Sequence, residues 1–311
     1  MKLTHFRDLV AVVRTGSLRA ASRELSIAQP VITRSIRELE HELGTSLFER
    51  HSKGVTMTPA GERFVRRIEA VQAEVRRAQE EVKQWNGEYS GEVSIALSPI
   101  TCMALMPSAI AAFNKRHPRA VVKITQSIFE PVENELNSGL VDFWVGPIDQ
   151  KSISQRFSVE CLFPHSRRIA ARRGHPLASA KTLEELTGAS WVRPSLDDRS
   201  SETDIEAAFQ RLGLPVPNVV IHSASMLVTI LTVGNTDLLT VLPEQMFRLM
   251  PISQFCEPLQ FIPPIPTTPI CLVHRLGLPL TPLAENLSDL MRRAALHYVR
   301  NTSLDSPQHE G

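Results

Sequence analysis

Seven apolar residues, Phe64, Ile68, Val71, Val75, Ala78, Val82 and Trp85, recur in alternating steps of four and three, a mean step of 3.5. An α-helix turns once in about 3.6 residues, so a stripe of period 3.5 keeps to one narrow face only where helices wind around each other. Glu69, Glu74, Arg76, Arg77, Glu80, Glu81 and Lys83 flank the stripe with charge. A long helix buried against its own chain would show a broader apolar face. The pattern therefore predicts a linker helix over residues 59–87 that pairs with a second copy of itself. Thr58 is its candidate cap, Pro59 its first-turn residue, and Asn86-Gly87 its end.

Upstream of this helix the spacing is helical but short. Leu3, Phe6, Leu9, Val10 and Val13 mark one apolar face, and Gly16 ends it. Ser17 can cap a second helix carrying Leu18, Ala20, Ala21 and Leu25. Pro30 then suits the first turn of a third helix, whose core face would hold Val31, Ile32, Ile36 and Leu39. Two short helices meeting across a tight turn make a helix-turn-helix, whose second member can enter the major groove of DNA. Residues 46–58 read as two short extended runs around a polar, Gly-containing turn, a wing.

Downstream of the linker, strands and helices alternate. Strands are expected at residues 93–97, 120–126 and 142–146, with helices over 101–117 and 131–138, the latter ended by Gly139. From about Cys161 a second series begins: strands near 168–171, 190–192, 218–222 and 238–242, and helices near 183–186, 202–212 and 226–233. Residues 263–266 and 270–273 lead back to a last helix around 284–298. Such alternation implies parallel sheets covered by helices, arranged as two α/β lobes with a cleft, and ligands at the carboxyl ends of the strands.

Charge and composition narrow the function. The whole chain carries +1, but residues 1–67 hold 12 Lys/Arg against 7 Asp/Glu, an excess of +5 that leaves −4 for the remainder. A basic N-terminal unit on a mildly acidic body suggests phosphate contacts confined to that unit, although charge alone is equally compatible with chance. No apolar stretch approaches the roughly 20 residues of a membrane span, and the charged start leaves no signal-peptide core, so a cytoplasmic protein is expected. Cys102, Cys161, Cys256 and Cys271 are scattered without C-x-x-C spacing, which reads as four buried or free thiols with neither zinc nor a disulfide. The chain has no G-x-S-x-G, H-E-x-x-H, phosphate-loop or dinucleotide-binding glycine motif. An enzyme, or a pure solute receptor built on the two-lobed part, is therefore the weaker alternative, and no cofactor or metal is called for.

The N-terminal residues resemble the LysR-type transcriptional regulators. The likeness is carried by Phe6, by Gly16-Ser17-Leu18-Arg19-Ala20-Ala21-Ser22, by the run from Gln29-Pro30 to Leu39-Glu40, by Leu43-Gly44-Thr45-Ser46-Leu47-Phe48-Glu49-Arg50, and by Thr56-Met57-Thr58-Pro59-Ala60-Gly61. It continues more loosely in Gly139-Leu140-Val141-Asp142-Phe143, Gly174-His175-Pro176-Leu177 and Leu242-Pro243. The resemblance implies an α/β protein with an all-α-type winged helix-turn-helix N-terminal domain (1–58) and a coiled-coil linker helix (59–87). It further implies a two-lobed, periplasmic-binding-protein-like effector domain, lobe I from 91–161 and 267–300 and lobe II from 162–266, then a flexible tail (301–311). The implied partners are double-stranded promoter DNA, a small-molecule effector, RNA polymerase and the chain itself as dimer or tetramer.

On the third helix, Gln29, Pro30, Thr33, Arg34 and Arg37 form the stripe expected to face DNA; Gln reads adenine and Arg reads guanine through paired hydrogen bonds. The alternative is an ordinary solvated face. Arg19, Arg50, Ser52 and Lys53 are placed for phosphate or minor-groove contacts, with ion pairing to nearby Glu as the alternative for Arg19 and Arg50. Ala28 departs from the hydroxyl residue that many family members carry there. For the effector, Ser98, Pro99 and Thr101 follow the first strand, where hydroxyls and free helix N–H groups favour an anion. The resemblance adds Ser127, Ile128 and Phe129, then Gly146 and Pro147, and in lobe II Arg193, Pro194 and Ser195. An anionic, partly apolar ligand is expected, Arg193 pairing with its acid group and Ile128 and Phe129 with its body; ordinary loop structure is the alternative at each position.

Overall fold

The computed structural model describes residues 1–51, 54–194, 205–248, 252–263 and 265–304. They fall into two compact units, Met1–Lys83 with Asn137–Leu140, and Gln84–Leu136 with the chain from Val141 onward.

In the first unit α1 (Leu3–Thr15), α2 (Leu18–Leu25) and α3 (Gln29–Leu43) close around Leu9, Val12, Ala21, Ile32, Ile36 and Leu39, all essentially buried. The helical spacing of these residues places them on facing stripes, which is why three short helices hold together. Val31, in the first turn of α3, departs from the expected core face: it is 53% exposed. Ser17 sits at the N-cap of α2 and Ala28 at that of α3, and neither makes a side-chain cap bond.

The wing follows as β1 (Phe48–His51) and β2 (Gly54–Met57), antiparallel with Phe48 opposite Met57. It is clamped at its base. Glu40 Oε1 accepts the N–H groups of Leu47 and Phe48 at 2.8 and 3.2 Å. Thr58 Oγ1 donates to the Ser46 carbonyl at 2.9 Å and accepts the Gly61 N–H at 3.0 Å, so Thr58 caps α4 (Pro59–Trp85) as expected.

Along α4 the 3.5-residue stripe divides. Phe64 and Ile68 belong to the core of their own domain, Phe64 edge-on to Phe6 at 6.4 Å. Val71, Val75, Val82 and Trp85 stay 43, 36, 63 and 82% exposed. The exposed part of the stripe is thus shorter than the seven positions of the sequence pattern.

The second unit begins within the last turn of α4, where Gln84 is buried and its Oε1 accepts the Leu283 N–H at 3.0 Å. The chain then runs β3 (Gly91–Leu97), α5 (Pro99–Ala104), α6 (Met106–Arg116), β4 (Ala120–Gln126), α7 (Phe129–Ser138), β5 (Phe143–Pro147) and β6 (Phe157–Phe163). Lobe II holds β7 (Ser166–Arg172), β8 (Ser190–Pro194), α8 (Ile205–Arg211), β9 (Asn218–Ser223), α9 (Met226–Gly234), β10 (Thr240–Pro243), α10 (Ile252–Phe255), β11 (Cys256–Pro258) and β12 (Ile265–Pro266). The chain returns to lobe I with β13 (Ile270–Arg275) and α11 (Pro282–Leu304). The helix expected over 101–117 is broken at Leu105, because Pro107 in the first turn of α6 has no N–H to continue it. The helix expected near 183–186 is a three-residue 3₁₀ turn, Glu184–Leu186. The tail expected from 301 begins as helix to Leu304; residues 305–311 lie outside the described residues.

Lobe I is a five-stranded sheet ordered β4-β3-β5-β13-β6. β4, β3 and β5 pair in parallel, whereas β13 runs antiparallel to both β5 and β6, which corrects the expectation of a wholly parallel sheet. The physical reason is the return connection: β13 re-enters from lobe II without a helical crossover, and parallel pairing requires one. Alternation along β3 turns Val93, Ile95 and Leu97 toward the core shared with α6 and α11, and Ala96 toward the core around Trp144, Val132 and Leu136. In lobe II, β7 is antiparallel to β10, β11 and β12, while β8 and β9 are parallel. Its core centres on Trp191 and Phe209, edge to face at 6.1 Å.

One correction concerns cysteine. Cys161 and Cys271 are Cα partners in the β6–β13 ladder and form a disulfide, so two of the four are not thiols. Their separation of 110 residues left no spacing signal. Cys102 and Cys256 are free, and burial pushes both thiols up to about 11. No described helix is long and apolar enough to cross a membrane.

Candidate nucleic-acid interface and effector site

The outward face of α3 is a shallow groove of about 760 Å³ lined by Gln29, Pro30, Thr33, Arg34, Arg37, Glu38 and His41. Gln29, Pro30, Arg34 and Arg37 are exposed and Thr33 half-buried, so the structure brings all five expected α3 residues onto one surface. Their exposure follows from the burial of Ile32, Ser35, Ile36 and Leu39 on the opposite side. Arg19 is exposed on α2 and, among the described residues, forms no ion pair. Arg50 lies in β1, opposite Val55; Ser52 and Lys53 lie outside the described residues.

The groove also holds residues that the sequence reading missed. Arg34 Nε donates to Glu38 Oε1 at 2.6 Å, and Glu38 Oε2 stands 3.4 Å from His5 Nε2. The Arg34 hydrogen bond holds the Glu38 carboxyl below its ordinary range. Arg34 is 81% exposed, so this pair is screened and readily exchanged for another acceptor. The four-residue interval between Arg34 and Glu38 was the available signal.

In lobe I the expected effector residues cluster at the carboxyl ends of β3, β4 and β5. The Ser98 N–H donates to Val145 O at 2.9 Å and the Ser127 N–H to Leu97 O at 3.0 Å, which fastens the three loops together. A Cβ on Gly146 would lie 2.4 Å from the Trp144 ring and 2.8 Å from Ser98 Cβ, so only glycine permits this packing. Ser98 and Thr101 are buried and turned inward: their hydroxyls lie 3.1 Å apart, and Thr101 Oγ1 donates to Val145 O at 2.8 Å. Pro99 is buried, and Ile128 and Pro147 are half-buried. Phe129 packs edge-on to Trp144 and Phe157 at 5.4 and 5.6 Å, within the lobe's own core.

In lobe II Arg193 and Pro194 end β8, while Ser195 lies outside the described residues. Arg193 Nη1 donates to Glu206 Oε1 of α8 at 3.0 Å, a counter-charge absent from the sequence reading. A second hydroxyl cluster, also missed, ends β9: Ser225 Oγ caps α9 by accepting the Val228 N–H at 3.4 Å, and Thr229 Oγ1 donates to Ser225 O at 3.1 Å. The hydroxyls before Met226 were its signal. The two lobes share one apolar cluster, in which Ile100 and Leu105 join Met246 and Ile252.

These features define a winged helix-turn-helix DNA-binding protein carrying a two-lobed α/β sensor domain. A family model described as bacterial regulatory helix-turn-helix protein, lysR family, matches residues 3–62, and one described as LysR substrate binding domain matches residues 86–296. The chain belongs to the LysR family of transcriptional regulators. It is similar to the HTH-type transcriptional regulator TdcA of Escherichia coli (strain K12), 28% identical over 82% of this chain and 81% of the relative. It is also similar to the HTH-type transcriptional regulator GbpR of Azospirillum brasilense, 25% identical over 99% and 90%. Full-length CbnR complexed with its target DNA shares the fold, with a TM-score of 0.70 at 19% identity, covering 94% of this chain and 100% of that one. As a transcription regulator of this family, the protein is not an enzyme.

Proposed function

We propose that two copies of the chain pair through the exposed part of the α4 seam and set their α3 helices on the major groove of promoter DNA, in the cytoplasm. The observation that carries this reading is the single surface formed by Gln29, Pro30, Thr33, Arg34 and Arg37. The crystal structure of CbnR with its target DNA supports it by analogy of fold. In the proposed complex Arg34 exchanges Glu38 for a guanine edge, and Arg19, Arg50 and the wing meet phosphates. Further assembly to a tetramer and contact with RNA polymerase complete the proposal.

Replacing Arg34 by alanine is expected to weaken specific DNA binding by roughly 1–3 kcal/mol and to relax base preference at one position. A gel-shift series over operator variants measures both, and unchanged affinity and preference would remove Arg34 from the reading surface. Val75→Glu places a charge in the seam and should raise the dimer dissociation constant at least about tenfold, ~1.4 kcal/mol. Sedimentation velocity reads the result; an intact dimer at the parent's concentration range contradicts pairing through α4.

The effector in this proposal is a small organic anion with an apolar body. It meets the strand-end loops at Ser98, Ser127 and Gly146 and takes the place of Glu206 on Arg193. Arg193→Gln should abolish the thermal stabilisation given by an active member of a panel of aliphatic and aromatic carboxylates while leaving DNA affinity within a few-fold. Stabilisation that persists in Arg193→Gln assigns the acid group to another partner.

A further inference from the structure

We infer that Cys161 and Cys271 are a reversible thiol staple at the hinge of the effector domain, which makes thiol redox state a second input to this regulator.

The topology gives the bond its place. The chain passes from lobe I to lobe II between β6, ending at Phe163, and β7, starting at Ser166. It returns between β12, ending at Pro266, and β13, starting at Ile270. Cys161 therefore stands just before the outward crossing and Cys271 just after the return. Their disulfide, with Cα atoms 4.0 Å apart, joins residues 110 positions apart and closes the chain between them, and with it all of lobe II, into a ring at its root. With the bond intact the two hinge strands cannot separate. Without it, no covalent link joins them and the backbone ladder of β6 and β13 holds the pair.

The two sulfurs are unequal. β6 is an edge strand and Cys161 is exposed, whereas Cys271 is fully buried. Gln150 Nε2 donates to Cys161 Sγ at 3.0 Å, a contact that also favours a thiolate there once the bond is open. Exposed disulfides are the labile ones, and in a reducing compartment disulfides are transient or sensing. The compartment rests on the reading as a DNA-bound regulator; the geometry does not. Cys102 and Cys256, with thiols pushed up to about 11 by burial, are poor competitors for exchange.

The exchange balances with a small dithiol as reductant. Its thiolate attacks Cys161 Sγ, the Sγ–Sγ bond breaks, and Cys271 leaves as a thiolate that takes up a proton. The second thiol of the reagent, deprotonated, attacks its own sulfur in the mixed disulfide and releases Cys161, which is protonated in turn. Two electrons and two protons pass from the dithiol to the protein, and the reagent ends as its disulfide. Oxidation runs the same steps backward from a low-molecular-weight disulfide.

The test uses the full-length protein equilibrated in oxidised glutathione or reduced dithiothreitol, followed by rapid alkylation, mass spectrometry and amide hydrogen exchange. Neither readout depends on DNA or effector, so its failure is separate from failure of the proposed function. The expected result is a joined Cys161–Cys271 peptide pair in oxidised reagent and two alkylated thiols in reduced reagent, with interconversion in both directions. Exchange at residues 160–169 and 266–272 should be at least about tenfold faster in the reduced form. Cys161→Ser, at the exposed position, should show the fast exchange in both reagents, and Cys271→Ser should match it. Complete alkylation of both thiols after oxidation, a bond that the reduced reagent never opens, or equal hinge exchange in the two states overturns the inference.

Discussion

Gly61→Ala is expected to destabilise the DNA-binding unit by about 3 kcal/mol, at the upper end of overpacking costs. A Cβ at this position would lie 2.2 Å from the Leu47 carbonyl oxygen and 3.1 Å from its carbon, both backbone atoms. Leu47 cannot yield easily. Its side chain is buried, its N–H is held by Glu40, and its carbonyl accepts the Thr58 N–H at 3.0 Å. Relief would require the wing base to leave α3 or the first turn of α4 to unwind. Urea melts followed by far-UV circular dichroism measure the loss. A variant within about 0.5 kcal/mol of the parent, the range of ordinary surface changes, would mean that the close approach does not exist.

The second large effect is on pH dependence. His165 lies where the chain crosses between the lobes, is buried, and its Nδ1 stands 3.1 Å from Gln245 Oε1. Burial, reinforced by the nearby Arg167 charge, lowers it from 6.5 to about 4. The folded state therefore binds the proton less well than the unfolded chain. Stability is full above pH 6.5 and falls as pH drops toward about 4. Between pH 7.5 and 4.5 the loss from this one group is about 2–3 kcal/mol. Urea titrations of the parent and of His165→Gln at the two pH values should differ by about that amount, the variant being less pH-sensitive. Equal pH dependence in both proteins would place His165 in contact with water in the folded state.

The legible parts of this molecule were those in which the pattern lies along a short stretch of chain. The period of 3.5 between Phe64 and Trp85, the Pro at the start of α3 and the Thr58-Pro59 cap each act within a few residues, so their outcome is local. Gln29, Pro30, Thr33, Arg34 and Arg37 share one outward surface for the same reason. Arg34 and Glu38 sit one turn apart, so the same local spacing carries their pairing.

What depends on distance along the chain escaped. Val31 looked like core by period, yet it stays 53% exposed. Ser98 and Thr101 looked like open hydroxyls from their place after a strand, but both are buried, their hydroxyls face each other at 3.1 Å, and Val145 O of β5 accepts from the Ser98 N–H and the Thr101 hydroxyl. Arg193 looked like a free cation until α8 brought Glu206 to it. In each case the deciding partner comes from an element whose position local propensity does not specify.

The sequence by itself determined the winged helix-turn-helix, the direction in which α3 presents Gln29, Thr33, Arg34 and Arg37, and the class of regulator to which the chain belongs. Only the tertiary structure decided how far the α4 stripe is spent on its own core, why Gly61 must lack a side chain, and that Cys161 meets Cys271. Periodicity is a property of one segment and survives in the linear text. Strand register, close backbone approach and the pairing of residues 110 positions apart arise only when segments share a boundary in space.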